Sequence, residues 1–123
     1  MLGVRLVNLT AHAVTVFDGD REVASWAPSG VMARLVERVG PVSRLVTDQG
    51  EVAMAEMSYA DEVEGLPEPE EGTAYLVSRV LAAAVARADL YFPLDEVRND
   101  AGQITGCRAL GTFIHEEARG YAG

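Results

Sequence analysis

The chain has 123 residues, with ten basic side chains, all arginine, against nineteen carboxylates, for a formal charge of −9. That length suits one domain, residues 1–123. Hydrophobic residues are 49% and charged residues 24%, which excludes a disordered chain; a single cysteine excludes a disulfide scaffold, and the acidic balance excludes a sequence-independent nucleic-acid coat.

Residues 4–8 and 12–17 are rich in β-branched side chains and read as strands. Asp18-Gly19-Asp20 is a turn signal, so 12–17 and 21–26 are expected to form a hairpin. Pro28-Ser29-Gly30 is a second turn. Residues 31–36 resume an extended pattern, and Gly40-Pro41 is expected to break it. A further hairpin is expected from 42–47 and 51–57 around Asp48-Gln49-Gly50. Strands so closely spaced argue for a meander, sandwich or barrel rather than βαβ units.

Residues 56–71 hold Glu56, Asp61, Glu62, Glu64, Glu68, Glu70 and Glu71 and no cation. They read as a solvated loop, with a site for a cation or basic partner as the alternative; the alternating pattern of a calcium loop is absent. Gly65-Leu66-Pro67-Glu68-Pro69 is a stiff connector. Residues 73–77 read as a buried strand, and 79–88 as a helix capped by Ser78, with Val77, Leu81, Ala84, Val85 and Ala88 along one stripe. Leu90-Tyr91-Phe92-Pro93 is extended, and Asp100-Ala101-Gly102 turns a hairpin between 96–99 and 103–110. The polar tail, about 115–123, is expected to be flexible.

The expected fold is α+β: a curved antiparallel sheet or small β-barrel with one packed helix at about 79–88. Exposed strand edges in so small a domain are commonly covered by another copy, so a homo-oligomer is expected. The longest apolar run, residues 80–86, is far short of the roughly 20 residues a membrane span needs. The first residues lack the basic-then-apolar pattern of a signal peptide, and one cysteine suits a reducing cytoplasm, which is the expected compartment.

Neither a paired-cysteine nor a paired-histidine spacing is present, so no metal or cofactor is expected. Cys107 could act as a nucleophile with His12 as base; the plainer reading is a small buried hydrophobe. Asn8, Thr10 and His12 interrupt apolar strands at alternate positions and would share one face if extended. Otherwise they form a turn whose side chains satisfy the backbone. Arg34 and Arg98 lie among strand residues, where a guanidinium either pairs with a carboxylate or grips a small anion. Asn8, Thr10, His12, Arg34 and Arg98 are thus the candidate ligand-binding residues. For Arg98 the structural alternative is a pair with Asp89 or Glu96. Asp89, just past the helix, opposes its dipole unless Arg87 or Arg98 compensates.

Val7-Asn8-Leu9-Thr10-x-His12, Pro28-Ser29-Gly30 with Ala33-Arg34, and above all Leu66-Pro67-x-Pro69-x-x-Gly72-Thr73-x-Tyr75-x-Val77-Ser78 carry a resemblance. It continues through Arg87-x-Asp89, Pro93, Val97-Arg98 and Gly102-x-Ile104-x-Gly106-Cys107, covering about residues 4–110. These residues resemble a family of small proteins encoded by actinobacteria, their phages and prophages. Members usually have Pro at the position of Ala11 and Gly at that of Leu94. The family carries no assigned activity, so the resemblance implies a phage-associated setting and no mechanism. The expected function is a non-catalytic binding protein that sequesters a small anionic or nucleotide-like ligand or a host protein. The alternatives are a small hydrolase or transferase using Cys107 or His12, and a virion or assembly component. Neither nucleic acid nor membrane is an expected partner.

Overall fold

Among the described residues, six strands and one helix make a curled body from which a long two-stranded hairpin departs. The computed structural model describes residues 3–115. The elements are β1 (Arg5–Asn8), β2 (Val14–Asp18), β3 (Arg21–Trp26), β4 (Arg34–Thr47), β5 (Gly50–Glu64), β6 (Thr73–Leu76), α1 (Arg79–Ala84), β7 (Leu90–Arg98) and β8 (Ile104–Gly111). The body sheet has the order β1-β6-β7-β8-β2-β3, and β4 and β5 pair only with each other. No helix among the described residues is long and apolar enough to cross a membrane. The expected flexible tail lies, beyond His115, outside the described residues.

The described residues are mostly β with one short helix, as the α+β expectation had it in outline. The sheet, however, is mixed rather than antiparallel: β1 runs parallel to β6, β6 to β7, and β2 to β8. The β2–β3 and β7–β8 hairpins are antiparallel, as their turn residues indicate. Past β3 the chain curls back to the opposite edge. Pro28 bridges Asn8, the Ser29 amide donates to the Asn8 carbonyl at 2.9 Å, and the Ala33 amide to that of Leu9 at 3.0 Å.

Side chains from Tyr75 to Val77, at the end of β6 and just past it, alternate between two cores, which is why consecutive residues there are all buried. Tyr75 and Val77 join Leu9, Leu81, Ala82, Leu90 and Phe92 on one side. Leu76 joins Val14 and Cys107 on the other, with Leu6, Val16, Trp26, Tyr91 and Leu110 half-buried around them. Phe113 stacks on Phe92 at 5.0 Å, and Arg79 lies over both rings. The His115 ring places Nε2 3.0 Å from the Ala82 carbonyl, which can only accept, so that nitrogen carries the proton.

Ser78 caps the helix, its hydroxyl accepting from the Leu81 amide at 3.2 Å. The helix ends at Ala84 rather than 88, because Val85 is extended and closes the last turn with its amide on the Leu81 carbonyl. Ala84 and Ala88 are exposed, so the buried stripe is carried by Leu81 and Ala82. Arg87 explains the early exit: it binds Asp89 through two nitrogens, at 2.9 and 2.6 Å, and donates to the Pro67 carbonyl at 2.9 Å. The Asp89 carboxylate in turn raises the Arg87 pKa. The charge conflict expected at the helix end is thus resolved by Arg87, and the same contact ties the acidic connector to the body.

Two expectations for the middle of the chain are overturned. Gly40-Pro41 does not end a strand; it sits in a register shift between Val39 and Val42, and β4 continues to Thr47. Pro41 is tolerated there because the strand is an edge and the bulge removes the need for its missing N–H. Nor is 56–71 a loop throughout: Glu56 to Glu64 belong to β5, and only the stretch from 65 to 71 is the largely exposed loop expected. At about 3.3 Å per residue the β4–β5 arm is about 45 Å long. Only its root joins the core, where Leu35 and Val63 pack on the Leu81 side.

Candidate functional site

Of the two readings open for Asn8, Thr10 and His12, the segment after β1 takes the turn whose side chains satisfy the backbone, and the common strand face does not exist. Asn8 is buried at 2% exposure and all its amide groups are engaged. Its Nδ2 donates to the carbonyls of His12 (2.8 Å) and Trp26 (3.0 Å). Its Oδ1 accepts from the Thr10 amide at 2.9 Å. The Thr10 hydroxyl lies 2.7 Å from that same oxygen and 3.0 Å from the His12 carbonyl, with one proton for two acceptors. Asn8 therefore staples the β1 exit to the end of β3, the function of an Asx turn buried within a sheet closure.

His12 is exposed and lines an open hollow of about 340 Å³ with Thr15, Glu96, Thr105, Gly106 and Cys107. Arg98 is not among the lining residues. It donates to the Gly102 carbonyl at 2.7 Å and pairs with Glu96 at 3.4 Å, with more than half of its side chain exposed. This is the structural alternative foreseen for Arg98, a staple across the β7–β8 turn. Arg34 lies at the arm root in a different, shallower hollow with Met32, Glu37 and Glu64. The five candidate residues are not brought into one pocket.

An exposed pair of this kind contributes about 0–1 kcal/mol. Arg98→Gln is accordingly expected to shift the thermal midpoint by no more than about 4–8 °C, and a larger drop in differential scanning calorimetry would contradict the exposed-staple geometry.

Cys107 shares the His12 hollow yet is 1% exposed, and its thiol donates to the Thr15 carbonyl at 3.5 Å. Burial pushes the thiol pKa up, with partial relief from the backbone of Leu94 and Ala109. A nucleophile needs the thiolate, so this environment works against covalent catalysis at Cys107. Above the ordinary thiol pKa the unfolded chain loses a proton that the folded chain keeps. Urea midpoints are therefore expected to fall with rising alkaline pH, and Cys107→Ser to flatten that slope. A slope unchanged by the substitution would place its origin elsewhere. Among the described residues no group of three or more His, Cys, Asp or Glu side chains is placed to hold a metal ion.

The surface feature that sequence reasoning passed over is the exposed apolar face of the arm, of which only the outer hairpin, 42–47 with 51–57, was expected. Residues directly opposite on the ladder share a face: Val39 with Met57, Val42 with Ala55, Val46 with Glu51. Positions 51, 53, 55, 57 and 59 of β5 alternate onto that same face. It therefore presents Val39, Val42, Val46, Met57 and Tyr59, each about half exposed or more, with Glu37 beside Tyr59 and the paired Arg44 and Glu51 between Val42 and Val46. Leu45 and Val52 are also exposed, on the other face. The available signal was that 42–47 and 51–57 carry apolar residues at both parities, so neither face of that ribbon can be wholly polar.

The arm divides its charge as well. β4 carries Arg34, Arg38 and Arg44 against Glu37 alone; β5 carries Glu51, Glu56, Asp61, Glu62 and Glu64 and no cation. Within the arm Arg44 pairs with Glu51 at 3.7 Å. Compared with known proteins, the chain matches no family model, no curated protein and no solved structure.

Proposed function

We propose that the chain is a non-catalytic interaction protein whose docking element is the β4–β5 arm. The observation that carries this reading is the uncovered apolar face formed by Val39, Val42, Val46, Met57 and Tyr59. Scattered apolar residues on a surface need no explanation, but Val39, Val42, Met57 and Tyr59 adjoin one another on a ribbon that adds little to its own core, with Val46 set apart by the Arg44–Glu51 pair, and such a patch marks an interaction surface. A two-stranded ribbon is marginal in water without a third strand or a packed face, which again asks for a partner. Of the readings open from sequence, an assembly component acting through its surface is the one the arm supports. Sequestration of a small anion has less support, because Asn8 and Thr10 are engaged with the backbone and Arg98 with Glu96 and Gly102. The resemblance to small actinobacterial, phage and prophage proteins supports a phage or mobile-element setting.

The test is the full-length triple variant V42T/V46T/M57T. Because these side chains are solvent-exposed, the melting temperature is expected to stay within a few degrees of the parent while binding of an apolar-surface dye falls. A collapse of the melting temperature would mean that the face is core rather than docking surface, and would sink the reading.

A further inference from the structure

From the division of charge along the arm, we infer that its partner is a second copy of this chain, docked head to tail, with the β4 side of one arm against the β5 side of the next. The inference rests on the reading of the arm as docking element and adds the identity and polarity of the partner. Both outer edges of the arm are without a neighbouring strand among the described residues. Arg34 and Arg38 form no ion pair among those residues, and β5 opposite them is wholly acidic in its charges.

Two symmetric ways of joining arms are disfavoured. Meeting β4 to β4 sets arginines against arginines, and β5 to β5 sets carboxylates against carboxylates; like charges facing across strands are destabilising. Only the unlike edges are complementary. Because β4 and β5 are antiparallel, arms pointing the same way continue the order β4-β5-β4-β5 as one antiparallel sheet. That arrangement also keeps the Val39–Tyr59 faces of successive arms on one side, so the apolar patch grows into a shared surface. Pro41 lacks an N–H and interrupts the new ladder at one point, leaving the stretches on either side to pair. A contact between unlike surfaces cannot stop at two copies; it closes into a ring or continues as a fibre. Of the net charge of −9, residues 34–64 carry −4, so the acidic remainder opposes crowding of the bodies and the complementarity lies between the basic β4 and the acidic β5.

Sedimentation velocity on the full chain, from micromolar to near-millimolar concentration, tests this. Species larger than a dimer are expected. R34E/R38E alone and E56R/E62R alone should each raise the association midpoint about tenfold or more, and an equimolar mixture should restore it. Circular dichroism checks that both variants fold; if either does not, the parent's mass distribution still decides. A parent that stops at a dimer overturns the head-to-tail polarity, as does a mixture of folded variants that fails to recover. A parent monomeric at every concentration overturns self-assembly. If its apolar face still binds dye and V42T/V46T/M57T still melts like the parent, the arm is then a dock for a foreign protein, so the two readings fail separately.

Discussion

Replacing Leu81 with alanine is expected to remove about 2–5 kcal/mol of stability, a large share of what a domain of this size possesses. Leu81 is 1% exposed and belongs to the cluster of Leu9, Tyr75, Val77, Ala82, Leu90 and Phe92. Two terms add. The side chain loses its transfer free energy, and a cavity opens between a helix and a sheet that are each too short to collapse far. A helix of six residues is also too short to persist by its own hydrogen bonds, so its order depends on this anchor. Loosening α1 would in turn release the Ala82 carbonyl that His115 engages. Urea unfolding followed by circular dichroism measures the effect. A midpoint close to the parent's would mean that the helix does not pack as described.

Gly65→Ala should be comparably severe, for a different reason. Gly65 has φ +74, and an added Cβ would stand 2.1 Å from the Met32 carbonyl oxygen and 2.9 Å from its carbon. The left-handed backbone alone costs a non-glycine residue about 1–2 kcal/mol. The overlap is the larger effect, since the obstacle is backbone and no rotamer change relieves it. Met32 is fixed nearby through Ala33, whose amide is bonded to Leu9. Moving it would part the root of the arm from the body. Gly72 supplies the control: its φ is +79, but nothing lies within 4 Å of its added Cβ. Gly72→Ala reads the backbone cost alone, and Gly65→Ala is expected to exceed it by about 2 kcal/mol or more, within the range of core overpacking. Equal losses at the two positions would show that the close approach to Met32 is not there.

What could be read from the sequence followed the range of each interaction. The turns at Gly19 and Gly102 and the Ser78 cap depend on residues a few positions apart, and all three fall where their chemistry places them. The apolar run of β6 announces burial on both faces. By contrast, nothing near Arg5 says that it lies beside Thr73, nor anything near Val16 that it lies beside Cys107. The parallel pairings were therefore invisible, and an antiparallel meander was the local extrapolation. The helix end was misplaced because Ala86 and Ala88 favour helix, while the decision is made by Arg87 reaching Asp89 and the distant Pro67 carbonyl. At the candidate site, Asn8 and Thr10 were rightly singled out as unusual. Sequence left a strand face and a backbone-satisfying turn both open, because period-two counting does not distinguish them, and the structure has the turn. For Arg98, sequence left Asp89, Glu96 and a ligand all open, and the structure pairs it with Glu96 while Asp89 goes to Arg87.

The parallel pairings also set an order of events on the ribosome. The arm is built from neighbours in sequence, meeting at the Thr47–Gly50 tip, and can zip as soon as Glu64 has emerged. Its body cannot follow at once: β1 waits for β6, and β2 waits for β8 near the far end of the chain. Local hairpins form in microseconds, whereas pairings of such separation are slow. Each nascent chain can therefore form this apolar, charge-polarised ribbon only marginally until it has a fold to anchor it. On a polysome many such ribbons are held side by side, so the polarity of β4 and β5 would bear on whether neighbouring chains meet in register or tangle.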